Sequence, residues 1–386
     1  MRPMHKLLMP LVFLCSVLVL TACASKDTTE PPAALEDFKP ELRFKTLWKR
    51  DTGAGAGQYR LSLQPVISGD AIFTVDRKGE LTALNKKTGK VLWSRDTDLP
   101  VSAGVGVGHG YLFIGTREGL LAAFAEKDGA PAWQAQLSSE ILGVPTSGYG
   151  VVTARTVDGV VHAYSATTGE KLWTFKHNVP ALSLRGTSSP IIFAGRVISG
   201  ADNGRITALT LADGRPLWES VIAVPTGRNE LDQMVDIDMV PSIDGGIIYV
   251  AAYQGRLAAL TADRGQIIWS REKSVYRNLA IGDDQVYAVD DTSHVWAFDR
   301  NTGGSAWTQD KLHARPLVGA AVLGDVVLTG DFDGYVHALS KTDGRFVART
   351  RIGSDGILSE ALIEGPVAYV YTREGILAAL SIAPVK

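Results

Sequence analysis

Short apolar runs, separated by turns rich in glycine and aspartate, follow one another along the chain from residue 44 onward. Residues 111–114 and 120–124 form a typical pair, with a polar, glycine-containing segment between them. Strands that are covered on both faces have continuous apolar runs of this length. The pattern therefore predicts many short, buried β-strands in close succession.

The runs belong to eight copies of one sequence phrase. Each copy has a glycine followed four residues later by alanine, and Ser293 takes the place of the glycine in the sixth copy. The eight copies begin at residues 79, 119, 159, 204, 255, 293, 334 and 375. A second glycine and a tryptophan follow in most copies, but Ala348 stands in the tryptophan position of the seventh. A period of about 40–45 residues with four strands per copy describes a β-propeller blade.

The eighth copy reaches the end of the chain without a last strand of its own. Residues 44–48, which end in Trp48, match the missing strand at the other end of the sequence. We therefore predict an all-β, eight-bladed β-propeller over residues 44–386. The N-terminal strand is expected to complete the last blade, which closes the ring and removes two exposed strand edges. Seven blades with a remnant is the alternative count.

The first 22 residues predict a secretory signal peptide. Arg2 and Lys6 precede an apolar run over residues 7–20, and small residues follow it. This order of basic, apolar and small residues is typical of signal peptides, and the run is shorter than the roughly 20 residues of a membrane span.

The signal ends in the string Leu-Thr-Ala-Cys, which resembles the lipobox of bacterial lipoproteins. The resemblance implies that Cys23 is lipidated and that the protein is anchored without spanning the membrane. Ala24, instead of an aspartate, implies sorting to the outer membrane, with the protein facing the periplasm. Polar residues and the Pro31-Pro32 pair predict that residues 23–43 are a flexible tether. Ordinary cleavage with a free Cys23 thiol is the alternative.

Composition narrows the functional classes. A hydrophobic content of 45% and a charged content of 21% exclude a disordered chain. A formal net charge of −2 gives no basic footprint for nucleic acid. The chain has two cysteines, which cannot form a disulfide scaffold. The histidines show none of the usual metal-ligand spacings, so we expect no metal.

Residues 297–307 read A-x-D-x-x-T-G-x-x-x-W, and residues 83–93 and 163–173 are close variants. This string is similar to the tryptophan-docking motif of the quinoprotein-like propeller family, which implies that the tryptophans pack blade against blade. Dehydrogenases of that class hold a quinone and calcium, often beside adjacent cysteines. No cysteine follows Cys23, so we expect no cofactor and no catalytic residues. A periplasmic quinoprotein-type dehydrogenase is the alternative function.

Two connections are longer than the repeat requires. The copies beginning at Gly159 and Gly204 are each followed by an extended spacing, of 45 and 51 residues. Both insertions precede the first strand of a blade, so they should emerge side by side on one rim, where long loops commonly bind partners. The first insertion carries two leucines and an arginine, and the second carries several acidic residues.

The lipobox, the eight blades and the two insertions together resemble the BamB family of lipoproteins, which serve the outer-membrane β-barrel assembly (BAM) machinery. The resemblance implies a non-enzymatic scaffold that contacts the periplasmic POTRA domains of BamA. The candidate partner-binding residues that it implies are Leu182, Leu184, Arg185, Asp236 and Asp238. Other BAM subunits and unfolded outer-membrane β-barrel chains are the further partners. Two alternatives stay open. Arg185 could pair with Asp236 or Asp238 inside the molecule, and the propeller could instead bind the cell wall.

Overall fold

The computed structural model describes residues 30–180, 186–226 and 233–385. Over these ranges the chain forms 33 β-strands in eight sheets and no helix. The described part accordingly contains no helical segment with the length and apolar character of a membrane span. The predicted signal peptide and Cys23 lie outside the described residues.

The strands are numbered in chain order. The first two are β1 (Leu42–Asp51) and β2 (Ser62–Leu63). Blade one consists of β3 (Val66–Ser68), β4 (Ala71–Val75), β5 (Glu80–Asn85) and β6 (Val91–Asp96); blade two of β7 (Val101–Gly108), β8 (Tyr111–Thr116), β9 (Leu120–Ala125) and β10 (Pro131–Gln136); blade three of β11 (Thr146–Gly148), β12 (Val151–Arg155), β13 (Val160–Ser165) and β14 (Lys171–Lys176); and blade four of β15 (Ile191–Phe193), β16 (Arg196–Gly200), β17 (Arg205–Thr210) and β18 (Pro216–Val221).

The second half of the ring repeats this order. Blade five consists of β19 (Ser242–Asp244), β20 (Ile247–Ala251), β21 (Arg256–Thr261) and β22 (Ile267–Glu272); blade six of β23 (Ala280–Ile281), β24 (Gln285–Val289), β25 (Val295–Asp299) and β26 (Ser305–Gln309); blade seven of β27 (Ala321–Leu323), β28 (Val326–Gly330), β29 (Tyr335–Ser340) and β30 (Phe346–Arg351); and blade eight of β31 (Leu362–Glu364), β32 (Val367–Tyr371) and β33 (Ile376–Pro384), with β1 as its fourth strand.

The N-terminal strand closes the ring, as predicted. β1 pairs antiparallel with β33 from Leu42 opposite Pro384 to Asp51 opposite Ile376, and it is the outermost strand of blade eight. The short strand β2 then adds in parallel to β7 of blade two. These pairings confirm the eight-bladed propeller and exclude the count of seven blades with a remnant.

Tryptophans join successive blades, as their position in the repeat predicts. Each docking tryptophan lies over the second glycine of the next blade, and six donate an indole N–H bond of 2.8–3.2 Å to a backbone carbonyl of that blade. The pairs are Trp48 with Gly89, Trp93 with Gly129, Trp133 with Gly169, Trp173 with Gly214, Trp218 with Gly265, Trp269 with Gly303 and Trp307 with Gly344. Ala348 has no such partner because the outer strand of blade eight, β1, does not follow from a hairpin.

Replacing Gly303 by alanine should destabilise the fold more than the same change at Gly324. Both glycines have positive φ, so alanine costs roughly 1 kcal/mol of backbone strain at either site. At Gly303 the new Cβ would also lie 2.5 Å from the Trp269 ring, whereas nothing lies within 4 Å at Gly324. We expect Gly303→Ala to cost a further ~1–3 kcal/mol in urea unfolding. Equal losses for the two variants would contradict the docking role of the glycine.

The disc has two distinct faces. The segments that join the outer strand of one blade to the inner strand of the next lie on one face, which we call the connection face. Their described parts include residues 177–180, 186–190, 222–226, 233–241 and 310–320. The hairpins between the third and fourth strands of each blade lie on the opposite face, the hairpin face. Both long insertions therefore reach the connection face.

Candidate functional site

The candidate site lies on the connection face, where the insertions before blades four and five meet. The structure describes Asp236 and Asp238 of the second insertion. Leu182, Leu184 and Arg185 of the first insertion lie outside the described residues, so the pairing of Arg185 with either aspartate stays a prediction. The description resumes at Gly186, the residue that directly follows Arg185.

The ends of the two insertions are hydrogen-bonded to each other. The backbone N–H of Thr187 donates to Asp238 Oδ1 at 3.0 Å, and the Thr187 hydroxyl donates to the Asp238 carbonyl at 3.3 Å. The Ser188 hydroxyl donates to the carbonyl of Met239 at 2.8 Å. The two long connections therefore lie side by side, and Asp238 holds the end of the first against the second.

A buried ion pair lies beneath this junction. Arg155, the last residue of β12, donates from Nη2 to Asp202 Oδ1, and their side chains are 2% and 0% exposed. A Cβ at Gly186 would lie 2.8 Å from Arg155 Nη1, so the absence of a side chain there lets the first insertion pass directly over the pair. Arg155 thus joins blade three to the segment that follows β16 in blade four.

Asp236 places a second acidic group beside the pair. Its carbonyl accepts a 2.8 Å bond from the N–H of Tyr253, and its side chain is buried. Neither carboxyl oxygen has a hydrogen-bond partner among the described residues. Burial, reinforced by the charges of Asp238 and Asp202, raises the pKa of Asp236 to about 9. An unpaired buried carboxylate is unfavourable in the free protein.

The two flanking titratable groups fit the same electrostatic picture. Burial raises the pKa of Asp238 to about 6, although the Thr187 N–H stabilises its charged form. Burial, followed by the repulsion of Arg155, lowers the pKa of His177 to about 4, so the imidazole is neutral. Among the described residues, three carboxyl groups therefore lie around Arg155, and Arg277 lies close enough to favour the charged form of Asp238.

Arg155 and Asp202 were not among the residues singled out from the sequence, but the repeat contains a signal for the arginine. The position four residues before the repeat glycine is otherwise apolar or glycine. Its other occupants are Val75, Gly115, Gly200, Ala251, Val289, Gly330 and Tyr371. A buried arginine requires a charged or polar partner, so Arg155 at this otherwise apolar repeat position indicates an ion pair inside the propeller.

No group of three or more histidine, cysteine, aspartate or glutamate side chains in the described ranges is arranged to hold a metal ion. The acidic cluster instead includes a guanidinium at its centre. Its chemistry is that of an ion-pair network at a surface junction.

Sequence comparisons match the chain to one family over nearly its whole length. The family described as outer membrane protein assembly factor BamB matches residues 45–101 and 77–309. The outer membrane protein assembly factor BamB of Pseudomonas aeruginosa is 48% identical, over 96% of this chain and 97% of its own. The protein of the same name from Escherichia coli K12 is 33% identical, over 96% and 98%.

Solved structures show the same fold. The crystal structure of BamB from Moraxella catarrhalis superposes with a TM-score of 0.80 at 25% identity, covering 88% of this chain and 99% of that one. A quinohemoprotein alcohol dehydrogenase from Pseudomonas putida HK5 superposes with a TM-score of 0.67 at 14% identity, covering 88% and 76%. At that identity the second likeness shows the propeller fold alone.

Proposed function

Because this chain belongs to the BamB family of outer membrane protein assembly factors, we propose that it is a non-enzymatic scaffold of the BAM complex. In this role it binds the POTRA domains of BamA and assists the folding and insertion of β-barrel proteins into the outer membrane. The observation that carries the proposal is the junction of the two insertions, where Asp236 is buried without a partner in the described part of the chain.

The junction supports recognition of a cationic side chain flanked by apolar contacts. Asp236 and Asp238 supply the hydrogen-bond acceptors, and the buried Arg155–Asp202 ion pair lies beneath them. Leu182, Leu184 and Arg185 lie within four residues of Gly186, which lies over that pair. A buried charge that gains its partner on docking strengthens binding, and arginine and aromatic anchors dominate such interfaces.

Purified POTRA domains of BamA provide the test. We expect Leu184→Ala and Arg185→Ala each to weaken binding by about tenfold or more, because truncating interface anchors costs roughly 2 kcal/mol. Leu172→Ala is the control, since Leu172 is 45% exposed on the outer strand of blade three, away from the junction. Unchanged affinity for both site variants would contradict the proposed surface.

The lipid anchor is part of the same proposal. Family membership supports association with the outer membrane, and acylation of Cys23 would hold the propeller on the periplasmic side of that membrane. Tethering near BamA raises the effective concentration of the docking surface. The expected consequence of Cys23→Ser is a soluble periplasmic protein, and its retention in the membrane fraction would contradict the anchor.

Binding of unfolded outer-membrane chains stays a prediction, and the outer strands of the blades support it. Leu92, Leu172, Leu217 and Ile268 occupy the same outer position in four blades and are 45–54% exposed. These strands end their sheets, so their outer edges are available for strand addition. The dehydrogenase alternative is supported by a shared fold only.

A further inference from the structure

Residues 30–41, within the predicted tether, lie along the outer side of blades six and seven. We call this segment the strap. Leu35 packs against the core cluster that contains Trp307 and Leu312. The Phe38 ring stacks on Phe346 with centroids 5.5 Å apart. These two side chains are the apolar anchors of the strap.

Backbone hydrogen bonds fix the strap at both ends. Near its start the N–H of Ala33 donates to the carbonyl of His313, and Arg315 Nη1 donates to the carbonyl of Ala33, both at 3.0 Å. At its end the N–H of Glu41 donates to the carbonyl of Val347 in β30, also at 3.0 Å. The strap is therefore docked along its length.

Charge complementarity reinforces the docking. The strap contains four acids and one lysine, and it faces basic residues of blades six and seven. Lys311 Nζ lies 2.5 Å from Glu36 Oε2, and Arg345 Nη2 lies 2.8 Å from Glu41 Oε2. Such exposed pairs contribute little singly, but they orient an acidic segment on a basic surface.

The strap ends beside the blade junction at which the docking tryptophan is missing. Val347 occupies the outer position that is exposed in four other blades, yet it is only 3% exposed, and it packs in a cluster with Leu42 and Phe44 of β1. Its neighbour Ala348 stands where other blades have a docking tryptophan. The end of the strap and the start of β1 therefore lie on the outer strand of blade seven, where the docking tryptophan is absent.

The direction of the strap determines where the N-terminus leaves the disc. Glu30 Oε2 lies 3.0 Å from His313 Nε2, and His313 belongs to the 310–320 connection. The chain therefore leaves from the connection face, the face that carries Asp236. Six residues lie between Cys23 and Glu30, and the seven residue steps that join them reach at most about 25 Å.

We infer that the strap orients the propeller on the lipid bilayer, with the connection face at blades six and seven held next to the membrane surface. The inference rests on the proposed acylation of Cys23. The anchor and the candidate docking surface then share one face of the disc, two to three blades apart, so the strap sets how that surface is presented to a membrane-embedded partner.

Energy transfer to a labelled bilayer tests the orientation. The lipidated full-length protein is placed on phosphatidylethanolamine–phosphatidylglycerol vesicles that carry an acceptor dye on their headgroups. A donor dye is attached at Asp310→Cys, on the connection face of blade six, or at Lys127→Cys, on the hairpin face of blade two. Transfer should be higher from position 310, because blades two and six lie on opposite sides of the ring.

A strap variant separates docking from simple tethering. Leu35→Ser with Phe38→Ser removes both apolar anchors and extends the free arm to the 18 residue steps from Cys23 to Glu41, or at most about 65 Å. The difference in transfer between the two positions should then be lost. Asp37→Ser with Lys39→Ser changes exposed neighbours in the same segment and should preserve the difference.

Each result decides between the anchor and the strap. Co-flotation with vesicles combined with equal transfer from both positions in the parent protein would overturn the orientation and leave the anchor standing. Failure of the parent protein to co-float would overturn the anchor and the orientation together. A difference that survives in the Leu35→Ser, Phe38→Ser variant would show that the strap does not set the orientation.

Discussion

Replacing Arg155 by alanine is expected to lower the free energy of unfolding by about 3–5 kcal/mol. The change leaves Asp202 buried without its cation. Urea unfolding followed by tryptophan fluorescence measures the loss. Arg205→Ala is the matched control because the Arg205–Glu219 pair is 43% exposed on both sides, so its removal should cost about 1 kcal/mol or less.

A double variant distinguishes the lost pair from lost packing. Arg155→Met with Asp202→Leu removes both charges and keeps apolar volume, and such replacements are often neutral or stabilising. We expect it to recover most of the stability that Arg155→Ala loses. A double variant as unstable as Arg155→Ala would show that the pair itself is not the source of the effect.

Replacing Asp236 by asparagine is expected to make the protein more stable at neutral pH and weaker in binding BamA. The folded protein holds the carboxyl protonated well above its ordinary pKa of 3.8, so folding is opposed increasingly as the pH rises from that value toward 9. Asparagine keeps the shape of the neutral acid and removes this cost. We expect a gain of about 1–3 kcal/mol at pH 7.5, and a smaller gain at pH 4.5.

The same variant should bind the POTRA domains about tenfold or more weakly, because asparagine cannot ionise and pair with a cation on docking. Stability and binding would then change in opposite directions, as is common for groups kept for function. Asp263→Asn, at an exposed site on the hairpin face, should alter neither. A destabilised Asp236→Asn that binds normally would refute this interpretation.

Most of the fold could be predicted from the sequence because each blade is a local unit whose turns and docking residues recur at a fixed spacing. Trp48 identified the missing strand of blade eight, and its pairing over Gly89 confirms ring closure. Ala348 marked the seventh blade as different, but the reason is visible only in the structure. The outer strand of the next blade in the ring is β1, which comes from the N-terminus, so that blade has no hairpin glycine for a tryptophan to contact.

The candidate site was predictable only in part. The extended spacings indicate which connections meet, since both lead into an inner strand on one face. The Arg155–Asp202 pair joins different blades, so its existence depends on the packing of sheets and not on local spacing. The strap was missed for a related reason. Its prolines and charges are typical of a tether, whereas Phe38 docks on a residue more than 300 positions away.

Hydrogen–deuterium exchange of the propeller, with and without the POTRA domains of BamA, tests the docking surface most directly. Peptides covering residues 179–190 and 230–241 should exchange more slowly in the complex, while the hairpin-face turn at residues 126–130 should be unaffected. Slower exchange confined to hairpin-face turns, with no change in the two insertions, would contradict the assignment of this surface.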